Sequence, residues 1–179
     1  MTGRSAVPDA SGTARDARSD STIDGSTIHG SAVLVGTSGL LIRGNSGAGK
    51  SQLVLQLIGA AAQGRLAFAR LVADDRIFVT AIHGRLIARA PPELAGLLEI
   101  RGLGIRRLPY EPAAVIRLVV DLATASDRMP PAAETEIEIE GVKLPRLAVA
   151  PGEKPFSLVF AALTCGAAQA EAASPRRSA

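Results

Sequence analysis

Three groups of side chains in this sequence have the types and spacing that phosphate chemistry uses. The first is Gly44-Asn45-Ser46-Gly47-Ala48-Gly49-Lys50-Ser51, which fits G-x-x-x-x-G-K-[ST], the P-loop pattern. Its glycines free the backbone to turn successive N–H groups toward an anion. The helix expected to follow offers the positive end of its dipole. Lys50 is then placed to reach the β- and γ-phosphates of a nucleotide, and the Ser51 hydroxyl to ligate Mg²⁺. The second group is Asp74-Asp75. A carboxylate here can hold Mg²⁺ or take the proton of an acceptor hydroxyl. Adjacent residues of an extended chain point to opposite faces, so one of the two is expected to face the phosphate. The third is Glu99-Ile100-Arg101. In an extended segment the two charged side chains share a face, one suited to a metal and the other to phosphate charge.

These groups need elements to hold them. Gly39 to Arg43 reads as a short, mostly apolar strand, and Gln52 to Ala62 places Leu53, Leu57 and Ala60/Ala61 at helical spacing. The glycine-rich turn thus sits between strand and helix, the context its motif requires. Ser31 to Val35 is the preceding strand, with a tight turn at Gly36–Gly39. Ala67 to Ala73 is apolar except for Arg70 and is expected to be a strand that ends at the aspartates. Arg76 to Ala81 and Gly84 to Ala90 read as two further strands around His83-Gly84, a surface turn in which His83 has no role. Gly102 and Gly104 disfavour a helix after Glu99. Val115 to Leu122 is an aliphatic strand interrupted by Arg117 and Asp121, and Ala123 to Ala133 a loop. Glu134 to Glu140 alternates acid with Thr or Ile, as a half-buried strand does. Residues 141–145 and 147–150 read as short β pieces. Pro155 to Ala170 reads as an amphipathic helix with Leu158, Ala161, Ala162 and Cys165 on one side. So many strands around one strand–loop–helix unit imply a mixed sheet rather than a regular parallel array.

Composition excludes several alternatives. The 179 residues suit one domain, and 47% apolar content supplies its core. Aromatics make up 3%, so the core is aliphatic and no stacking platform for single-stranded nucleic acid is expected. A net charge of +3, partly in the two ends of the chain, points to no nucleic-acid groove. The single cysteine, Cys165, permits no intrachain disulfide and is expected as a small buried hydrophobe. No membrane span and no signal peptide is found, so a cytoplasmic protein is expected. No N-K-x-D base-reading motif for guanine is present. Residues 1–22 and 172–179 read as disordered, leaving residues 23–171 as one catalytic domain.

Taken together, His29-Gly30, the Gly44–Ser51 loop, Leu71-Val72-Ala73-Asp74-Asp75-Arg76 and Leu98-Glu99-Ile100-Arg101-Gly102-Leu103-Gly104-Ile105 follow the order of the bacterial HPr kinase/phosphorylase catalytic domain. The chain resembles that family over roughly residues 24 to 166, and the E-I-R-G-L-G-I run is the most specific element. The resemblance implies an α/β fold, a P-loop kinase domain with a mixed, strand-rich sheet similar to phosphoenolpyruvate carboxykinase. It implies ATP- and Mg²⁺-dependent phosphorylation of a serine on HPr, the phosphocarrier of the sugar phosphotransferase system, by a homo-oligomer, hexameric in the family. Position by position, it makes Glu99 the second Mg²⁺ ligand after Ser51 and gives one of Asp74 and Asp75 the serine proton. It gives His29 a catalytic place beside the phosphates and Arg128 that of a later active-site arginine. Val149 to Lys154 resembles the segment that the family uses in dephosphorylation. There, Val149-Ala150-Pro151-Gly152-Glu153-Lys154 replaces an arginine-bearing V-x-R-P-G-R. With that change, reverse phosphorolysis is expected to be reduced or lost, in a compact form lacking the family's N-terminal domain. The alternatives are a small-molecule kinase or carboxykinase-like enzyme on the same scaffold, and a non-catalytic ATP-sensing regulator. The intact D-D and E-I-R pairs weigh against the regulator.

Overall fold

Alternation along the strands decides this architecture. In β1 (Ser26–Val35) and β2 (Ser38–Arg43), residues on both faces are buried, so each strand has protein on both sides. The computed structural model describes residues 25–124 and 135–172, with side chains up to Cys165. The elements are β1, β2, α1 (Lys50–Ala62), β3 (Ala69–Ile82), β4 (Arg85–Arg89), a 3-10 turn (Pro92–Leu94), β5 (Leu97–Ile100), β6 (Gly104–Arg107), β7 (Ala114–Leu122), β8 (Glu136–Ile139), β9 (Val142–Val149) and α2 (Pro155–Ala172).

Seven strands run in the order β2-β1-β3-β4-β7-β9-β8, and β2 also pairs with β7. That extra pairing closes β2, β1, β3, β4 and β7 into a ring. Closure is possible because β7 is paired on both edges, with β4 on one and β2 on the other, and the β4 edge also takes β9. Its residues Ala114–Ile116 pair antiparallel with β4, and Val119–Leu122 pair parallel with β9. Its other edge runs parallel to β2. The mixture of parallel and antiparallel pairs is the mixed, strand-rich sheet expected from the sequence.

Two apolar clusters lie on opposite sides of the ring strands. Ala32, Leu41, Ala73, Ile77, Leu86, Ile116 and Val119 fill the enclosed side, which Ile139, Val142 and Leu144 of the β8–β9 hairpin help to close. The alternate residues Val33, Leu40, Ile42, Leu71 and Val120 face outward and pack against Leu53, Val54 and Leu57 of α1. Burying each of these α1 side chains is worth roughly 1.5–3 kcal/mol. The glycine-rich loop therefore hangs between two elements that the core holds rigidly.

Several elements depart from expectation. β3 does not end at the aspartates: it runs unbroken through them, because β1 pairs with it on both sides of the pair, from Ser26↔Val79 to Val35↔Ala69. Leu144 to Leu147 stays in one strand through Pro145, so β9 is continuous. The buried face of α2 is Val159, flanked by the partly buried Phe156, Phe160 and Leu163, while Leu158, Ala161, Ala162 and Cys165 are exposed. Two phenylalanines four apart outweigh alanines for the apolar contact, and Arg65 covers both rings at 5.3 and 5.0 Å from their centroids. Cys165 is thus a surface thiol, not a core residue. The expected loop lies mostly, and the expected terminal disordered segments almost wholly, outside the described residues.

Candidate active site

β2 delivers the chain to the loop and α1 takes it away. Gly44, Gly47 and Gly49 have φ of 146°, 80° and 94°, conformations that side chains resist. A Cβ placed on Gly47 would meet no atom closer than the Arg101 guanidinium at 4.0 Å, so the space above the loop is open. No side chain caps α1 and its first turn holds no acid, which leaves its N-terminal N–H groups to an incoming anion. Lys50 is 9% exposed and folds back over the loop, donating from Nζ to Gly44 O at 2.8 Å and Asn45 O at 3.1 Å.

Asp74 is where the other segments meet. Its register partner on β1 is Ser31, whose hydroxyl donates to Oδ1 at 2.5 Å. The Ser51 hydroxyl, at the start of α1, lies 3.4 Å from each carboxylate oxygen. The Glu99 N–H of β5 donates to Oδ2 at 3.3 Å. Burial pushes the Asp74 carboxyl above its ordinary value of 3.8; the donors from Ser31, Glu99, Asp75 and Ser51 pull the other way but do not cancel it. None of them carries a positive charge.

Asp75 behaves differently. A β-bulge nearby leaves Val72 unpaired between Ala73 and Leu71, and Asp75 itself has φ 67°. Its side chain is 75% exposed and meets His29 Nδ1 at 3.2 Å. The pair of acids therefore splits, one inward toward Ser51 and one outward beside His29.

Glu99 and Arg101 do not share one extended face. β5 ends at Ile100, and Ile100 O accepts from Leu103 N at 2.9 Å, which closes a turn with Arg101 and Gly102 at its centre. Gly102 has φ 84°, as the third residue of a type II turn requires. The turn swings the Arg101 guanidinium over Gly47, while Glu99 stays in the strand. Arg128 falls outside the described residues. In the 149–154 segment, Glu153 folds back so that its carboxylate accepts from Ala150 N at 3.1 Å.

Sequence reading missed Asp121. It lies at the end of β7, opposite Arg43 of β2 and Ala148 of β9. Arg43 binds both of its oxygens at 2.7 Å, and Arg146 Nε adds a third contact at 2.7 Å. Burial alone would raise its pKa, but the hydrogen bonds and charges of the two arginines win and hold the carboxyl below 3.8. The signal was a lone acid inside an aliphatic strand, which needs cationic partners if buried.

Among the described residues no group of three His, Cys, Asp or Glu side chains could hold a metal ion by itself. Mg²⁺ does not need one, since it keeps several waters and takes one or two protein oxygens plus substrate phosphates. The hydroxyl of Ser51 beside the Asp74 carboxylate is a hard oxygen set of that kind.

A mixed α/β sheet carrying a glycine-rich loop beside a buried carboxylate defines the class, and a solved structure shares the fold. That structure, the Hpr(Ser) kinase/phosphatase from Coxiella burnetii, superimposes with a TM-score of 0.66 over 82% of this chain and 99% of its own, at 24% identity. The chain belongs to the family described as the HPr serine kinase C-terminal domain, whose model matches residues 22–177. The HPr kinase/phosphorylase of Clostridium tetani is 45% identical over 82 residues, 46% of this chain and 25% of that protein. That of Limosilactobacillus reuteri is 35% identical over 136 residues, 69% of this chain and 40% of that protein. The chain thus spans well under half the length of these relatives. No helix among the described residues is long and apolar enough to cross a membrane.

Proposed function

We propose that this chain is an ATP-dependent protein-serine kinase domain acting on HPr, built as a P-loop kinase on a scaffold like that of phosphoenolpyruvate carboxykinase. Family membership supports the substrate. The observation that carries the chemistry is the convergence on Asp74 of Ser31, Ser51 and the Glu99 backbone, beside a loop whose anion-binding face is open.

In this reading the backbone N–H groups of Gly44–Ser51 and the end of α1 hold the β- and γ-phosphates of ATP. Lys50 exchanges its two carbonyl partners for phosphate oxygens, and Arg101 adds positive charge above Gly47. Ser51 and Glu99 would hold Mg²⁺, with the Asp74 carboxylate beside Ser51 as a further oxygen. When bound, Mg²⁺ neutralises charge on the β- and γ-phosphates. Asp75 is the better placed of the two acids to receive the serine proton: it is exposed and carries no buried donors, whereas Asp74 is enclosed. His29 orients Asp75 through Nδ1. As the serine oxygen bonds to the γ-phosphorus, the bond from that phosphorus to the bridging oxygen breaks and ADP leaves with it. The hydroxyl proton passes to the Asp75 carboxylate.

Reverse phosphorolysis is weak in this account. Residues 149–154 present Lys154 as their single cation, and Glu153 places a carboxylate there. A homo-oligomer in the cytoplasm completes the proposal. Transfer of label from γ-labelled ATP to HPr, and its loss when HPr lacks its acceptor serine, tests the kinase. Transfer to small hydroxy acids in preference to HPr contradicts it. Efficient pyrophosphate release from phosphoserine-HPr and inorganic phosphate contradicts the weak reverse step.

A further inference from the structure

The β5–β6 hairpin is a two-stranded sheet of its own, and none of the residues of its outer strand β6 is buried. It exposes two large aliphatic side chains, Leu103 at 59% and Ile105 at 64%. Both side chains turn most of their surface to solvent, and their position sets them beside the candidate site. Ile105 is the register partner of Glu99. Directly opposed residues of antiparallel strands share a face, so Ile105 stands beside the side chain of Glu99, the residue whose backbone N–H donates to Asp74. Leu103 is in the turn that carries Arg101 over Gly47. The tip therefore lies beside the phosphate loop, with Ile105 opposite Glu99 and Leu103 exposed in the adjoining turn.

We infer that Leu103 and Ile105 form the docking lip for the acceptor protein, and that they select an aliphatic patch next to its serine. The inference rests on the kinase reading above. Charge refines the partner. Between Leu97 and Arg107 the hairpin has Arg101, Arg106 and Arg107 but one acid, Glu99. Arg106 and Arg107 donate to the backbone carbonyls of Ile105 and Ala95, and among the described residues no carboxylate pairs with either. The matching surface has an apolar centre edged by carboxylates. A permanent second copy seated on the tip would cover the Glu99 face and bar the acceptor, so the occupant is the transient substrate.

The test is steady-state transfer of label from ATP to HPr by the full chain, compared with a Leu103→Ser/Ile105→Ser double variant and a Leu103→Met/Ile105→Leu double variant. The serine variant is expected to raise KM for HPr about tenfold or more, as loss of central apolar contacts does, with kcat within about twofold. The conservative variant is expected to restore KM. Nucleotide affinity, read by titration with a fluorescent ATP analogue, is expected to be unchanged. An unchanged KM, a parallel loss of nucleotide affinity, or a changed oligomer size by light scattering overturns the inference. Absence of transfer by the unaltered chain overturns the kinase reading itself. Transfer by that chain with KM unmoved in the serine variant overturns the docking lip alone.

Discussion

Asp74 and Asp121 are buried to the same degree, 7% and 6% exposed, yet burial leaves them in opposite electrostatic states. Asp121 is clamped by two guanidiniums at 2.7 Å, and its carboxyl titrates below the usual range. Asp74 has hydroxyl and amide donors only, and its carboxyl titrates above that range. The difference teaches what each is suited to do. A carboxylate already neutralised by arginines ties strands together and has no charge left to offer. A carboxylate buried among neutral donors keeps its charge uncompensated, and a cation delivered with a phosphate lowers the energy of the whole site. Asp121 joins β2, β7 and β9 just before the loop, whereas Asp74 faces Ser51 just after it.

Substitutions separate the two roles. Asp74→Asn is expected to reduce label transfer to HPr by about a thousandfold, in the range found when charge-stabilising groups are removed, while changing the unfolding free energy by about 1 kcal/mol or less. Asp121→Asn is expected to do the reverse. It leaves Arg43 and Arg146 without their carboxylate and lowers stability by about 3 kcal/mol in urea titrations, with transfer by the folded fraction within about fivefold. A large activity loss and no stability loss at Asp121 would erase the distinction. Lys50→Met keeps the apolar stem but removes the ammonium, and nucleotide affinity is expected to fall by roughly tenfold or more. Transfer and affinity equal to those of the unaltered chain would show that the loop does not hold the phosphates.

The smallest effects are in the pH dependence, about 1.4 kcal/mol for each unit of pKa change. Asp121 has a depressed folded pKa, so its contribution is fully present above 3.8 and disappears as pH falls through the folded value. The stability gap between the unaltered chain and Asp121→Asn is therefore expected to close in acid below 3.8. Asp74 has a raised folded pKa, so its ionisation weakens the fold as pH rises from 3.8 through that value. Asp74→Asn is expected to gain stability relative to the unaltered chain over that upper window, in the absence of nucleotide. Identical pH slopes for the two variants would contradict the contrast.

How much of this was written in the sequence follows from range. The Gly44–Ser51 loop and the start of α1 are local, set by glycines and apolar spacing within a few residues, and reading along the chain finds them. The ring closure is not local: it depends on β7 pairing with β4 on one edge and, on the other, with β2, whose Arg43 is 78 positions from its partner Asp121. The Asp121 cluster joins residues 78 and 25 positions apart, and nothing near Asp121 names Arg43 or Arg146. The face of α2 was misread because its weak pattern offered alanines and Cys165 as an apolar stripe, whereas Phe156 and Phe160 dominate the contact. Arg101 was misread because a type II turn intervenes two residues after Glu99, and extended-chain parity ends where the turn begins.

In the proposed reaction the uncompensated charge at Asp74 serves phosphate transfer to a protein serine. Incubating HPr with γ-labelled ATP and Mg²⁺, in parallel with the unaltered chain, Asp74→Asn and Asp121→Asn at a temperature where all three are folded, measures it directly. Label on HPr from the unaltered chain and from Asp121→Asn, with almost none from Asp74→Asn, is the predicted result. Equal labelling by Asp74→Asn, or no labelling of HPr by the unaltered chain, would contradict it.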